Sequence, residues 1–372
     1  MLVTDAWAAP GAVWAQVPGL AGRRLGERYS EDLGSADVRD FTRSLLAHEL
    51  LWRARGLSGW ALTIARNTWF QERTAQIVRE VTASAVFAHS YVALAPFREA
   101  KLRGFKTVLG QIDPGEQHFQ LVARLTDRWP EFGPAPAPPP REYFEAWREE
   151  CALADWIVVN SEWSGASLER AGIPRAKLKV IPLAYESEGG AAGFARSVPA
   201  AFTADRPLRV LFAGSAAVYK GIPSLLEAMD QLAGLPIVLR LVGEVAAAIP
   251  PRFRNHQAIQ WLGPVSRSEV MAYCRDSDVL VFPSHSDGFG MVQVEAQGWR
   301  LPIIASPFCG QVVRDGVNGL LLGEVSPSAI AAALRRVVES PALLADFAKH
   351  AGDGPRLGFD ELGTAFLQLG KR

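Results

Sequence analysis

Short apolar runs alternate along this chain with longer stretches in which apolar residues recur at helical spacing. Before residue 186 the runs are Ala85–His89, Lys106–Ile112, Trp156–Asn160 and Lys179–Pro182. After residue 205 they are Leu208–Ala213, Ile237–Val242, Ala258–Leu262, Val279–Pro283, Pro302–Ala305 and Gly319–Leu322. Helical spacing covers Ile222–Leu232, Arg267–Ser277, Met291–Trp299 and Ser326–Ser340. Near-continuous apolar runs suit strands buried on both faces. Their alternation with helices predicts an α/β protein of two Rossmann-like, doubly wound parallel sheets facing each other across a cleft. The expected domains are 1–185 and 206–353. The stretch 186–205 contains Gly189 and Gly190 and lacks apolar periodicity, so it is expected to be a linker. Pro134–Pro140 is too rich in proline for helix and is expected to be an extended loop.

Composition narrows the function without choosing it. The 372 residues are 49% hydrophobic, and 39 Lys+Arg balance 39 Asp+Glu. A neutral chain gives no global electrostatic reason to expect nucleic acid as a partner. The three cysteines, Cys151, Cys274 and Cys309, are widely spaced, with no metal-ligand pattern, and fit buried thiols of a reducing compartment. The first residues lack the basic flank of a signal peptide, and no apolar run is long enough to span a bilayer, so a cytoplasmic location is expected.

Candidate chemistry gathers in two strand-to-helix turns. Val279–Pro283 is followed by Ser284, His285, Ser286, Asp287, Gly288, Phe289 and Gly290, then by a helix from about Met291. Glycines let that backbone turn tightly and approach a ligand. The first amides of the helix, those of Met291 and Val292, lack partners within it, and the helix dipole adds positive character, an arrangement suited to a diphosphate. Glu295, one turn in, is placed to accept from a ribose diol. The bland alternative is a glycine turn with a surface Asp and a surface Glu. The second turn runs from Gly214 and Ser215 to Lys220-Gly221 ahead of a helix. A lysine there is a mobile point charge for a leaving phosphate, although most such lysines are solvated. The spacing is neither a Walker loop nor the GxGxxG of a nicotinamide dehydrogenase.

Together these motifs resemble the retaining glycosyltransferases of family 4 (glycosyl transferases group 1), whose fold is GT-B. The resemblance rests on Gly214 to Gly221, Gly243, Gly263, Phe282-Pro283-Ser284, Asp287 to Gly290, Glu295-Ala296, Leu301 to Ser306 and Asp315 to Gly319, with Asp155, Asn160-Ser161-Glu162 and Val180-Ile181-Pro182 ahead of them. It implies transfer of a sugar from a nucleoside-diphosphate sugar, with retention, to a sugar, glycan or glycolipid acceptor, and no cofactor or metal. The alternative is a non-catalytic relative that binds a nucleotide beside a degenerate or truncated acceptor site. Carried over by position, Lys220 and the amides after Gly290 bind the diphosphate, Glu295 the ribose and Asp287 the sugar hydroxyls. Gly214, Ser215, His285, Gly288 and Phe289 line the donor, and Gly243, Pro264 and Val265 line the base pocket. The resemblance also implies that 354–372 closes the chain as a helix packed on the first domain. The opening Leu2-Val3-Thr4-Asp5-Ala6-Trp7 resembles the family's second strand, so the first strand–loop–helix unit is expected to be missing. The family usually has Glu where Asp287 stands, often Arg at Ser215, and commonly glycine at Arg300.

On the acceptor side Gln111 and Asp113 are candidates because they follow the strand Lys106–Ile112 or sit at its end, and His118 is a candidate cleft histidine whose alternative is a solvated loop residue. For Asp113-Pro114-Gly115 the alternative is a turn. Asp276-Ser277-Asp278 imitates a metal-binding DxD but precedes its strand, so helix capping is expected. Arg43–Arg73, with Trp52, Trp60, Trp69 and Phe70, is expected to pack as core, with peripheral membrane contact as the alternative.

Overall fold

The structure, a computed structural model, describes residues 1–7, 29, 31–186, 191, 193–353 and 357–371. Its strands are β1 (Leu2–Thr4), β2 (Val38–Asp40), β3 (Ala85–His89), β4 (Lys106–Gly110), β5 (Trp156–Val159), β6 (Leu178–Val180), β7 (Leu208–Ala213), β8 (Ile237–Val242), β9 (Ile259–Gly263), β10 (Val279–Phe282), β11 (Ile303–Ala305) and β12 (Gly319–Leu321). The chain separates into two compact units, Met1–Thr107 with Pro139–Ala154, and Val108–Pro138 with Asp155–Arg372.

In the first unit β1 pairs in parallel with β2. Of the aromatics of the 43–73 stretch, Trp52 and Trp69 are buried with Leu62 and half-buried Phe70 packs against them, while half-buried Trp60 stands against Tyr143. Thr107 Oγ1 donates to Leu153 O at 2.7 Å, and Glu150 is almost fully enclosed.

In the second unit a six-stranded parallel sheet has the order β12-β11-β10-β7-β8-β9. Chain order reverses between β7 and β10, which pair through Val210↔Val279 and Leu211↔Leu280. In parallel sheets the carboxyl ends of strands at such a reversal are where ligands bind. The same unit holds β4 from Val108 onward, paired in parallel with β5, and β5 with β6. The closing helix Phe359–Lys371 sets Leu369 against Val108 and Val158 of that smaller sheet and Ile181 just after β6.

Two structural arginines were not visible as such in the sequence. Of the expected linker, 187–190 and 192 lie outside the described residues, but Arg196 within it is anchored. Its guanidinium donates to the carbonyls of Cys274, Trp299, Arg300 and Arg275 at 2.8–3.1 Å, and also to Ser277 O. Those carbonyls lie at the C-terminal ends of the helices Arg267–Asp276 and Met291–Gly298, where orphan acceptors and the dipole favour a cation. Burial draws its pKa down to about 10. Arg206 grips buried Asp278 with two bonds of 2.8 and 2.6 Å, and Arg209 N also donates to that carboxylate. Asp278 therefore ties β7 to β10 and does not cap the helix before it. Among the described residues no cluster of His, Cys, Asp and Glu is arranged to hold a metal.

Arg300, where the sequence pattern favours glycine, has φ 51°. Its N–H bonds Gln297 O, and Leu301 N bonds Ala296 O. This pair of bonds closes a helix through a left-handed residue, which is why glycine suits the position.

Candidate functional site

Two glycines fix how the loops leave the switch point. Gly221 (φ 77°) lies so close to the next loop that a Cβ would stand 2.0 Å from Pro283 O. Gly243 (φ 130°) packs on the end of β7, where a Cβ would stand 2.1 Å from Gly214 O. His285 N donates to Tyr219 O at 2.8 Å, a further tie between the loops after β7 and β10. Lys220 ends a short 3-10 turn, Val218–Lys220, and the helix Ile222–Gln231 follows.

From that turn the Lys220 ammonium pairs with the Asp287 carboxylate, the two side chains being only 17% and 15% exposed. Asp287 is held in place by its own N–H, which donates to Phe308 O at 2.9 Å. Gly290 (φ 85°) caps the helix Met291–Gly298, and Phe282 Cζ would lie 2.6 Å from a Cβ there. Glu295, 14% exposed, faces Arg267 Nε at 3.7 Å. Met291 and Val292 are half-buried, and Phe289 is buried. Gly243 and Gly263 close β8 and β9, joined by Gly243 N to Gly263 O at 2.8 Å, with exposed Pro264 and half-buried Val265 just beyond. Gly214 is exposed and Ser215 half-buried at the end of β7.

The segment after β4 meets the same loops. His118 Nδ1 lies 3.1 Å from Ser286 Oγ, and the imidazole stands edge-on to Tyr219 with centroids 4.8 Å apart. Burial lowers the His118 pKa; Asp113 and Asp287 pull the other way and Lys220 adds to the lowering. His285 is driven down to about 4 by burial, with Arg128 adding to the effect. Both rings are thus set to be neutral at pH 7. Asp113 Oδ1 accepts from Gln111 Nε2 at 2.9 Å and from Gly115 N at 2.8 Å. The turn reading of Asp113 is therefore realised, and Gln111 is buried beside it.

The carboxyl end of β5 adds residues that the sequence did not single out as functional. Ser161 Oγ donates to Gly288 O at 2.7 Å, and Ser164 Oγ lies 3.2 Å from the same oxygen. Trp163 Nε1 donates to Ser286 Oγ at 3.3 Å. A Cβ on Gly288 would sit 3.0 Å from Ile112 O. The Gly288 turn is thus clamped from two sides, which fixes where the Met291 and Val292 amides stand.

An ammonium, a carboxylate and a glycine-capped helix start therefore meet at the switch point of a parallel sheet, an arrangement fit to hold an anionic ligand. Residues 198–353 match the family model of glycosyl transferases group 1. Both loops and Glu295 fall inside the matched group 1 region. A D-inositol 3-phosphate glycosyltransferase of Xylanimonas cellulosilytica is 28% identical over 262 residues, or 63% of this chain and 61% of that protein. The chain thus spans about three fifths of that relative's length. Among solved structures, Anabaena Alr3699/HepE in complex with UDP-glucose has a TM-score of 0.59 over 81% of each chain at 17% identity. Sucrose-phosphate synthase from Thermosynechococcus elongatus has a TM-score of 0.61 over 83% of this chain and 78% of its own, at 20% identity. Such identities speak to fold, and the fold is GT-B, mixed α/β with parallel sheets in two domains.

Outside the group 1 region, Ser161 and Ser164 carried one usable signal. A serine before an acidic first turn, with a second serine three residues on, marks a helix start. Ser161 is that N-cap, accepting from Ser164 N at 3.1 Å. No local pattern tells which distant carbonyl its hydroxyl will meet.

Proposed function

We propose that this chain is a retaining glycosyltransferase of the family 4 type, moving a sugar from a nucleoside-diphosphate sugar to a hydroxyl acceptor. The observation that carries the reading is the Lys220–Asp287 pair beside the glycine-capped start of Met291–Gly298. In this reading Lys220 and the Met291 and Val292 amides take the diphosphate, with Gly214, Ser215, Gly288 and Gly290 letting it approach. Glu295 accepts from the ribose, and Gly243, Pro264 and Val265 border the base. Asp287, His285 and Phe289 face the sugar, while Gln111, Asp113 and His118 lie on the acceptor side.

Transfer breaks the bond between the anomeric carbon and the β-phosphate oxygen and forms one to the acceptor oxygen. The acceptor proton passes to the departing phosphate. Lys220 and the helix start neutralise the charge that builds on the leaving group, which is where preorganised charge lowers a barrier. The reading needs no metal, so transfer should survive chelation. UDP-sugars are the first donors to test, because the HepE structure was solved with UDP-glucose. A cytoplasmic location belongs to the same proposal. Ser215, standing where the resembled family often has arginine, favours a second reading, a nucleotide binder without transfer.

Thermal unfolding with UDP, GDP and ADP and with their sugars tests both. A stabilising shift by a UDP-sugar is expected, and no shift with any nucleotide diphosphate would sink both readings. Release or transfer of sugar, reduced about 10²–10³-fold in Lys220→Ala, separates the enzyme from the silent binder.

A further inference from the structure

Ser286 lies in the loop after β10 and is 1% exposed, yet two rings converge on its hydroxyl. Trp163 Nε1 stands 3.3 Å from Oγ, and His118 Nδ1 stands 3.1 Å from it. Among the described residues Oγ has no third partner. All three residues belong to the second unit. An indole N–H can only donate, so it takes a lone pair of Oγ and leaves the hydroxyl hydrogen to find an acceptor. A buried donor without an acceptor is costly, and the one acceptor in reach among the described residues is His118 Nδ1.

A hydroxyl that donates to Nδ1 needs that nitrogen bare, which puts the proton of the neutral ring on Nε2. The opposite tautomer would turn Nδ1–H on Oγ and orphan the hydroxyl hydrogen. The imidazolium would do the same, and burial already acts against it. Nε2 itself bonds nothing among the described residues and is not sealed from solvent. The ring stands edge-on to Tyr219. Tyr219 and Ser286 immediately precede Lys220 and Asp287, and the charges that act on the imidazole are those of Asp113, Asp287 and Lys220. The outward N–H is therefore presented next to the ion pair of the donor loops. A nitrogen that already carries a proton donates a hydrogen bond and cannot take up another proton, so it serves a ligand oxygen and does not act as a base.

We infer that the chain Trp163–Ser286–His118 holds His118 as a neutral Nε2–H donor for an oxygen of the bound ligand, with Trp163 and Ser286 as its positioning residues. That the oxygen belongs to a sugar rests on the proposed transfer reading; the tautomer does not. The test is a proton–nitrogen correlation spectrum of the full chain labelled on histidine nitrogen, with His118 assigned by the signals that vanish in His118→Gln. At pH 7 a protonated Nε2 and a bare Nδ1 are expected. A protonated Nδ1, in the neutral ring or in an imidazolium, overturns the inference. In Ser286→Ala, which lacks the hydroxyl donor, the Nδ1–H form should rise about fivefold. A tautomer ratio equal to the parent's would take the two positioning residues out of the account. Activity adds a second reading, because His118→Gln keeps an N–H donor but has no basic nitrogen. It should slow transfer several-fold less than His118→Phe. An equal loss in both, of about 10²-fold or more, is the size of a missing general base and would overturn the donor role. A parent that transfers nothing would fail the proposed function, while the tautomer would still decide this inference.

Discussion

Two helices of this protein begin in the same way and end their search for a partner differently. The helix Leu94–Leu102 follows β3 through a turn in which Tyr91 has φ 74°. The amides of Tyr91, Ala93 and Leu94 all donate to the carboxylate of Glu150, at 2.7–3.1 Å. The Tyr91 ring stacks on Tyr143 with centroids 4.7 Å apart, which helps hold the unusual backbone. The helix Met291–Gly298 follows β10 through a turn whose left-handed residue is Gly290. Its first amides meet no side-chain acceptor among the described residues, while the carbonyl just before them, Gly288 O, is clamped by Ser161 and Ser164. Both helix starts attract negative charge for the same dipolar reason. One is filled by the protein's own carboxylate and so is a structural joint. The other is rigid but unfilled from within, the condition for holding a ligand's anion.

The largest test of this contrast removes the internal anion. Glu150→Ala leaves three donors, two buried and one half-buried, without their acceptor, each costing about 1–3 kcal/mol. A loss of roughly 3 kcal/mol or more in urea unfolding is expected, with the donor side untouched in nucleotide binding. A loss below about 1 kcal/mol, the value of an exposed contact, would mean the joint is not structural. A smaller effect is expected from Ser161→Ala, near 1 kcal/mol or about one neutral hydrogen bond. Stability should fall by about that amount, because the same hydroxyl caps its helix, and nucleotide affinity should fall as well, since the hydroxyl holds the turn that aims the amides. An affinity equal to that of the parent protein would remove the clamp from the account.

The gentlest test is pH. Burial lifts Glu150 from 4.5 to about 7 despite its three amide donors. The folded first unit therefore takes up a proton there, and its stability should decline as pH rises from about 4.5 to 7. Burial takes His285 the other way, from 6.5 to about 4, so the folded second unit binds fewer protons than the unfolded chain. Stability on that side should decline as pH falls from 6.5 towards 4. Hydrogen exchange, corrected for its intrinsic pH dependence, should show protection at 89–94 and 284–290 changing in opposite directions. Parallel changes would contradict the assignment.

The sequence made one of these helix starts legible and hid the other, for a physical reason. Around Met291 the information is local: strand, glycines at forced left-handed angles and helix follow in order, so β7 to β12 and the donor loops could be placed within one or two residues. Glu150 lies in a helix with Glu142, Glu145 and Glu149, and nothing in its spacing distinguishes it from those neighbours. Only the folding of residues 56 to 59 positions away brings its partners to it. Arg196 was hidden in the same way, because a stretch without periodicity looks like a linker even when one side chain fastens two helix ends. The Ser161 hydroxyl and Gly288, 127 residues apart, were each noticed singly, but their meeting is a property of the tertiary fold.

Gly221 bears on anyone who would redesign the donor preference. The loop after β7 and the loop after β10 touch backbone to backbone, with room for no side chain between them. They are interlocking parts cut to one another, so a loop transplanted alone from a relative would arrive with a surface shaped for a different neighbour. Chimeras that exchange 214–221 and 283–290 together should therefore fold more often than those that exchange either one, and the pair is the unit in which specificity can be moved.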